Sequence, residues 1–187
     1  KKEETKATEH FLKTITYQPD YTNAYYNLGA AYYNNGKYLQ ATQMWEEFDR
    51  RNPNDPSTLQ SLGEVGIDLG KSVEYSESLF LRAITLDSSY AKAYVALGAL
   101  YLTKKEYSKS EKYFKDFLRL SPEAHEAYYQ MAIAQHQNPK EALQSLDKAL
   151  QKGFKDYDRL KNEVKFAQLR KQPGYRNLVK KYFPGKE

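Results

Sequence analysis

The sequence predicts an all-α fold, a solenoid of stacked antiparallel helix pairs, from three observations. A helix-like segment recurs at Ala24, Thr58, Ala93 and Ala127, as AYYNLGAAY, TLQSLGEVG, AYVALGALY and AYYQMAIAQ, at spacings of 34, 35 and 34 residues. Within the first, Tyr25, Leu28, Gly29 and Tyr32 fall at i, i+3, i+4 and i+7, one stripe of an α-helix, and Tyr94, Leu97, Gly98 and Tyr101 repeat it. A second segment follows each time, with a small residue, three spacers, a bulky residue and then a turn. Ala41 and Trp45 lead to Pro53, Ser76 and Phe80 to Ser88, and Ser110 and Phe114 to Pro122.

The elements follow in order. Residues 1–21 hold Ala7, Phe11 and Pro19, the second helix of a repeat whose first helix is missing, so further sequence upstream of Lys1 is expected. Residues 22–55 form a full repeat. Residues 56–90 form another with departures: Leu59 takes the aromatic place, Gly66 the tyrosine place, and one extra residue near Lys71 to Val73 alters the turn. Residues 91–124 return to the regular pattern. Residues 125–153 are a shortened repeat with Ala132 for glycine and Gln135 for tyrosine; Asn138 can cap and Pro139 can start its second helix, and Gly153 can stop it. From 154 to 187, Phe154, Tyr157, Leu160, Phe166, Leu169, Tyr175, Leu178 and Phe183 lie amid lysines and arginines, as in two or three short helices capping the stack. All segments are expected to form one continuous domain.

Stacking is a physical necessity here. Each helical hairpin has more apolar surface than it can bury alone, so neighbours share a core. Gly29, Gly63 and Gly98 lack side chains and let a neighbouring helix approach closely, a gain that must exceed the roughly 1 kcal/mol glycine costs inside a helix.

Composition narrows the function. The 187 residues include no cysteine, which excludes disulfides, thiol nucleophiles and thiolate metal sites. His10, His125 and His136 lie in different repeats without zinc spacing, and no Walker loop, G-x-S-x-G or G-x-G-x-x-G occurs. No apolar run approaches the roughly 18 residues of a membrane span, and no secretory h-region is present. The chain opens on KKEETKATEH, which could be a processed or trimmed end, so a soluble chain is expected while its compartment, cytoplasmic or periplasmic, is left open. Neither enzyme activity nor a cofactor or metal is expected. The net charge of +5 is uneven: residues 151–187 hold eleven Lys/Arg and four Asp/Glu, against eighteen and twenty in residues 1–150. Tyr175 and Tyr182 beside Arg170, Lys171, Arg176, Lys180 and Lys181 could suit a nucleic acid, but a cap with aromatics inward and lysines outward accounts for the same residues and for their apolar spacing.

Over residues 5 to 152 the pattern resembles the tetratricopeptide repeat family, whose repeat runs aromatic, two spacers, Leu-Gly, two spacers, Tyr, then Ala, three spacers, Phe and a terminal Pro. The C-terminal segment resembles the endings of bacterial members. The resemblance implies a right-handed superhelix that binds a peptide or protein on its concave face, without catalysis. A second helix stripe, about 100 to 150° from the packing stripe, would face that groove. It supplies the candidate binding residues Asn23, Tyr26, Tyr33, Gln60, Glu64, Lys92, Val95, Leu102, Tyr129 and Ile133, with Ala30, Ile67, Ala99 and His136 at matching places. The carboxylate clamp of chaperone-binding members is missing, because Tyr26, Ala30, Ser61 and Ala96 stand at its places and only Lys92 matches. The expected function is a protein-interaction scaffold. The alternatives are a regulatory or positioning arm of a larger enzyme and, less favoured, nucleic-acid binding through the basic end.

Overall fold

The computed structural model describes residues 2–186, with side chains from residue 6 onward. Residues 1 and 187, the outer bounds of the expected first and last segments, lie outside the described residues. Among the described residues the fold is all-α: eleven α-helices, two short 3-10 turns and no strand. The chain divides into two compact units, Lys1–Ala96 and Leu97–Glu187.

The first unit contains α1 (Lys2–Tyr17), α2 (Asn23–Asn34), α3 (Tyr38–Arg51), α4 (Pro56–Asp68), α5 (Val73–Leu86) and the start of α6 (Ala91–Thr103). Helices α1 to α5 pack in sequence, each against the next, as short turns between successive helices require. The phase-setting Ala24, Thr58 and Ala93 are each fully buried. Local chemistry sets the ends. Asp55 caps α4 by accepting from the Thr58 amide at 2.8 Å, and Pro56 occupies the first helical position. In the turn altered by the extra residue, Gly70 takes φ +67°, a left-handed conformation that favours glycine, and Ser72 caps α5.

The second unit contains the rest of α6, then α7 (Tyr107–Leu120), α8 (His125–Ala134), α9 (Pro139–Gln151), α10 (Tyr157–Asn162), the 3-10 turns Val164–Phe166 and Leu169–Lys171, and α11 (Pro173–Tyr182). Asn138 caps α9 with Pro139 at its first position, and Gly153, at φ +107°, follows its end. The C-terminal aromatics turn inward. Phe154, Leu160, Phe166, Leu169, Tyr175 and Val179 share one buried cluster with Tyr129, Ala132, Leu146 and Leu150. Gln135, in the tyrosine place, is buried too, and satisfied: its amide donates to Glu111 at 2.8 Å and its carbonyl accepts from the Ser145 hydroxyl at 2.6 Å.

The Leu-Gly positions have one structural explanation. A Cβ at Gly29 would lie 2.6 Å from the Trp45 indole, and one at Gly98 2.8 Å from the Phe114 ring; Gly63 faces Phe80 in the same way. The aromatic of the second helix thus seats in a notch made by the glycine of the first. Where the small residue is serine, it adds a tie: Ser76 Oγ donates to the Gly63 carbonyl and Ser110 Oγ to that of Gly98, both at 2.8 Å.

Candidate functional site

A groove of about 350 Å³ opens in the first unit, lined by Tyr26, Ala30, Tyr33 and Asn34 of α2, Trp45 of α3, Gln60, Ser61 and Glu64 of α4, and Lys92 and Val95 of α6. The four α2 residues are spaced i, i+4, i+7 and i+8, so one helix face forms a wall. Aromatic packing fixes that wall. Tyr26 lies 6.4 Å from Trp45 and 5.4 Å from Phe48, and Tyr33 lies 5.7 Å from Trp45 and 5.4 Å from Tyr38, ring centre to ring centre. The Trp45 indole N–H donates to the Tyr26 carbonyl at 3.1 Å, which orients the indole that closes the floor. Both tyrosines are half-buried, so they pack and line the groove at once.

The opposite wall is polar. The Tyr33 hydroxyl donates to Asp68 Oδ2 at 2.6 Å; burial first, then this bond and the carboxylate's charge, pushes the phenol well above its ordinary pKa. The Tyr90 hydroxyl donates to Gln60 Oε1 at 3.3 Å, and burial pushes that phenol up to about 12. Glu64 is raised above the ordinary glutamate range by burial and by the nearby Asp68 charge, against the opposing Gln60 hydrogen bond and Lys92 charge. The groove therefore offers apolar ring surface, amide and hydroxyl partners in Asn34, Gln60 and Ser61, a carboxyl reluctant to ionise, and one exposed ammonium at Lys92. That set suits recognition of an extended chain with alternating side chains. No group of His, Asp and Glu that could hold a metal ion exists among the described residues.

Of the ten residues expected at the binding face, six line this groove: Tyr26, Tyr33, Gln60, Glu64, Lys92 and Val95. Asn23 is exposed at the start of α2, outside the lining, and Leu102 is half-buried against the core of the second unit. Two expectations need correction. Tyr129 and Ile133 are 1% and 7% exposed and belong to the core of the second unit. Phe154 stacks on Tyr129 at 4.3 Å, Phe166 meets its edge at 5.8 Å, the Arg159 guanidinium lies 4.9 Å from its ring centre, and its hydroxyl donates to the Arg159 carbonyl at 3.2 Å. The covering residues come from the C-terminal segment, which breaks the repeat and so lies outside the stripe argument. The lining also includes Asn34, Trp45 and Ser61. Asn34 was available as the next position on the Tyr26, Ala30 stripe. Trp45 was expected to pack, as the bulky residue of the second-helix pattern, and its ring both fills the notch at Gly29 and closes the groove floor. Ser61 was placed in the sequence only as a residue that fails to continue the carboxylate clamp, although that place itself belongs to the groove.

Comparison with known proteins agrees with this architecture. Family models of the tetratricopeptide repeat match residues 10–43 and 91–123. The human protein O-mannosyl-transferase TMTC3 is 28% identical over 129 residues, covering 69% of this chain and 14% of that protein. Hsp70-Hsp90 organizing protein 3 of Arabidopsis thaliana is 27% identical over 125 residues, covering 67% of this chain and 21% of that protein. The chain thus spans about a fifth or less of these relatives' lengths. Among solved structures, PilF of Pseudomonas aeruginosa superposes with a TM-score of 0.75 at 19% identity, over 95% of this chain and 85% of that one. YrrB, described as a TPR protein with an unusual peptide-binding site, superposes with a TM-score of 0.69 at 21% identity, over 87% of this chain and 84% of that one. At such identities the structural likeness establishes a shared solenoid fold and no more.

Proposed function

Because the chain is a tetratricopeptide repeat protein and its fold is that of an interaction scaffold, we propose that the first-unit groove binds an extended peptide segment, without catalysis. One observation carries this reading: two half-buried tyrosines, Tyr26 and Tyr33, stand open to a groove whose other wall is polar and hydrogen-bonding. Apolar side chains of the peptide would lie on the rings, and its backbone amides would meet Asn34, Gln60 and Ser61. The repeat bounds 22–55, 56–90, 91–124 and 125–153, with 154–187 as a cap, belong to the same proposal. So does the lack of a carboxylate clamp: Lys92 is the one cation among the described lining residues.

The test is an immobilised array of extended peptides, varied in apolar and charged positions, probed with the parent chain and with Ala30→Leu and Lys92→Glu. Ala30→Leu fills the groove at a half-buried site, and Lys92→Glu reverses an exposed charge. Both variants should keep helicity and melting temperature while losing the peptides that the parent captures. Unchanged capture by both would place binding elsewhere.

A second reading, a positioning arm of a larger enzyme, draws on the human transferase relative, of which the chain matches 14%. The full reading frame decides it: a catalytic domain in the same frame supports it, and its absence removes it. Among the described residues no helix is long and apolar enough to cross a membrane.

A further inference from the structure

A second cleft, of about 440 Å³, lies wholly within the second unit, lined by Tyr157, Lys161, Arg170, Tyr175, Arg176, Asn177, Val179, Lys180 and Lys186. Its floor is apolar and built. Tyr175 and Val179 are buried, and the Tyr175 hydroxyl donates to the Leu160 carbonyl at 3.3 Å. Tyr157 forms a side wall; its ring packs on Phe183 at 5.2 Å and its hydroxyl donates to the Lys186 carbonyl, which holds Lys186 at the cleft. Arg170 is fixed by donating Nη1 to the Glu163 carbonyl at 2.8 Å, a bond that leaves its charge uncompensated.

Among the described residues, the lining thus carries five cations and no carboxylate. The contrast with the rest of the unit is informative. Arg159 pairs with Glu126 at 2.7 Å, Lys152 with Glu123 at 2.5 Å and Lys181 with Asp147 at 3.5 Å. Lys161, Arg176, Lys180 and Lys186 form no ion pair among the described residues. Glu123, Glu126 and Asp147 are thus paired with cations outside the lining, and the described residues that line the cleft set positive charge over an apolar floor.

We propose that this cleft is a docking site for an acidic peptide segment carrying an apolar side chain. The apolar side chain enters over Tyr175 and Val179, and flanking carboxylates meet Arg170, Arg176, Lys161 and Lys180. Arginine suits this task because its planar fork engages a carboxylate with two parallel bonds. Charge complementarity decides the occupant's sign, and the apolar floor separates a peptide from a bare polyanion. A single-stranded nucleic acid fits less well, because it needs open ring faces on which bases stack. Tyr175 is only 6% exposed, and the Tyr157 ring is already engaged by Phe183 and by the Lys186 ammonium at 5.8 Å. The proposal is independent of the first-unit groove, with which it shares no residue.

The test uses the full chain and fluorescence anisotropy. The probe is a labelled peptide of aspartates and glutamates around one leucine. Comparison probes are the same peptide with asparagine and glutamine, the acidic peptide with glycine for leucine, an oligothymidylate, and vesicles containing phosphatidylserine. The acidic peptide should bind, weaken steeply with added salt, and weaken further when leucine becomes glycine. The double variant Arg176→Gln, Lys180→Gln changes two exposed side chains, so it should keep the parent's melting temperature and bind about tenfold more weakly. Arg176→Lys with Lys180→Arg should restore most of the affinity. The proposal fails if the acidic peptide does not bind, if the amide peptide binds equally, or if the double variant binds as the parent does. Tighter binding of the oligothymidylate or the vesicles would likewise overturn it in favour of those partners.

Discussion

Gly98 shows how one missing side chain organises a helix pair. Alanine there would gain up to about 1 kcal/mol of helix propensity, yet its Cβ would meet Phe114 at 2.8 Å. Overpacking of that kind costs about 1–3 kcal/mol, so the clash wins. Gly98→Ala should lower stability by about 1–2 kcal/mol, read from thermal or urea melting; an unchanged midpoint would mean that the Phe114 ring moves aside freely. Glu64 makes a prediction of the opposite kind. Its native pKa is raised by burial, so the folded chain holds this proton more tightly than the unfolded one. Stability from this group is fully present below the ordinary glutamate pKa and is lost as pH rises through the raised native value. Melting followed across that interval should show a decline in the parent that Glu64→Gln lacks, and parallel profiles would contradict it. At this scale the packing residues were legible because they recur: Leu28, Leu97 and Gly98 announce themselves by phase. Tyr129 was not, because its stripe position matches that of Tyr26 while its surroundings do not. Burial of Tyr129 depends on Phe154, Arg159 and Phe166, which lie beyond the last repeat and obey no period.

The helices begin where side chains satisfy their first amides. Asp55 accepts from the Thr58 amide at 2.8 Å, from its hydroxyl at 2.6 Å, and from the Ser57 hydroxyl. Burial would raise this carboxyl, but the bonds to Ser57 and Thr58 win and hold it below the ordinary aspartate range. The cap therefore contributes stability that is present above the ordinary aspartate pKa and is lost as pH falls through the depressed native value. Asp55→Ala should cost about 1–2 kcal/mol at neutral pH, and the deficit relative to the parent should shrink on acidification. A deficit that persists at acid pH would assign the loss to something other than the charged cap. Elements with such local signals were readable in advance: Asn138-Pro139 at the start of α9 and Gly153 after its end needed no tertiary information. The groove wall of α2 was readable as a face, since Tyr26 and Tyr33 share a stripe. The polar wall of α4 was only partly so, because Ser61 matters through what lies across from it.

For the molecule as a whole, connectivity is local. Within the first unit α1 to α5 each pack against the next, and within the second α7, α8 and α9 do the same. Contacts of such short sequence separation favour fast folding, on the order of microseconds to milliseconds for helical proteins. Stopped-flow refolding should place the major phase within milliseconds; a major phase of seconds would point to contacts more distant in sequence than those described. The division between Ala96 and Leu97 falls inside AYVALGALY, one of the most regular segments of the chain, so periodicity gives no sign of it. The charge imbalance was visible in the sequence, but its meaning was not. Only the positions of Glu123, Glu126 and Asp147 show which cations they neutralise and which they leave facing a cleft.

The glycine notch has a consequence for how such a chain can change over generations. Notch and ring belong to the same repeat: Gly29 receives Trp45, Gly63 receives Phe80 and Gly98 receives Phe114. Each of these three helix pairs therefore carries its own lock and key. Duplicating or deleting a whole repeat copies or removes both halves together, and the helix pairs that remain keep their internal fit. Tandem copying therefore preserves the fit within a pair, while the fit between neighbouring pairs, which share a core, must still be matched.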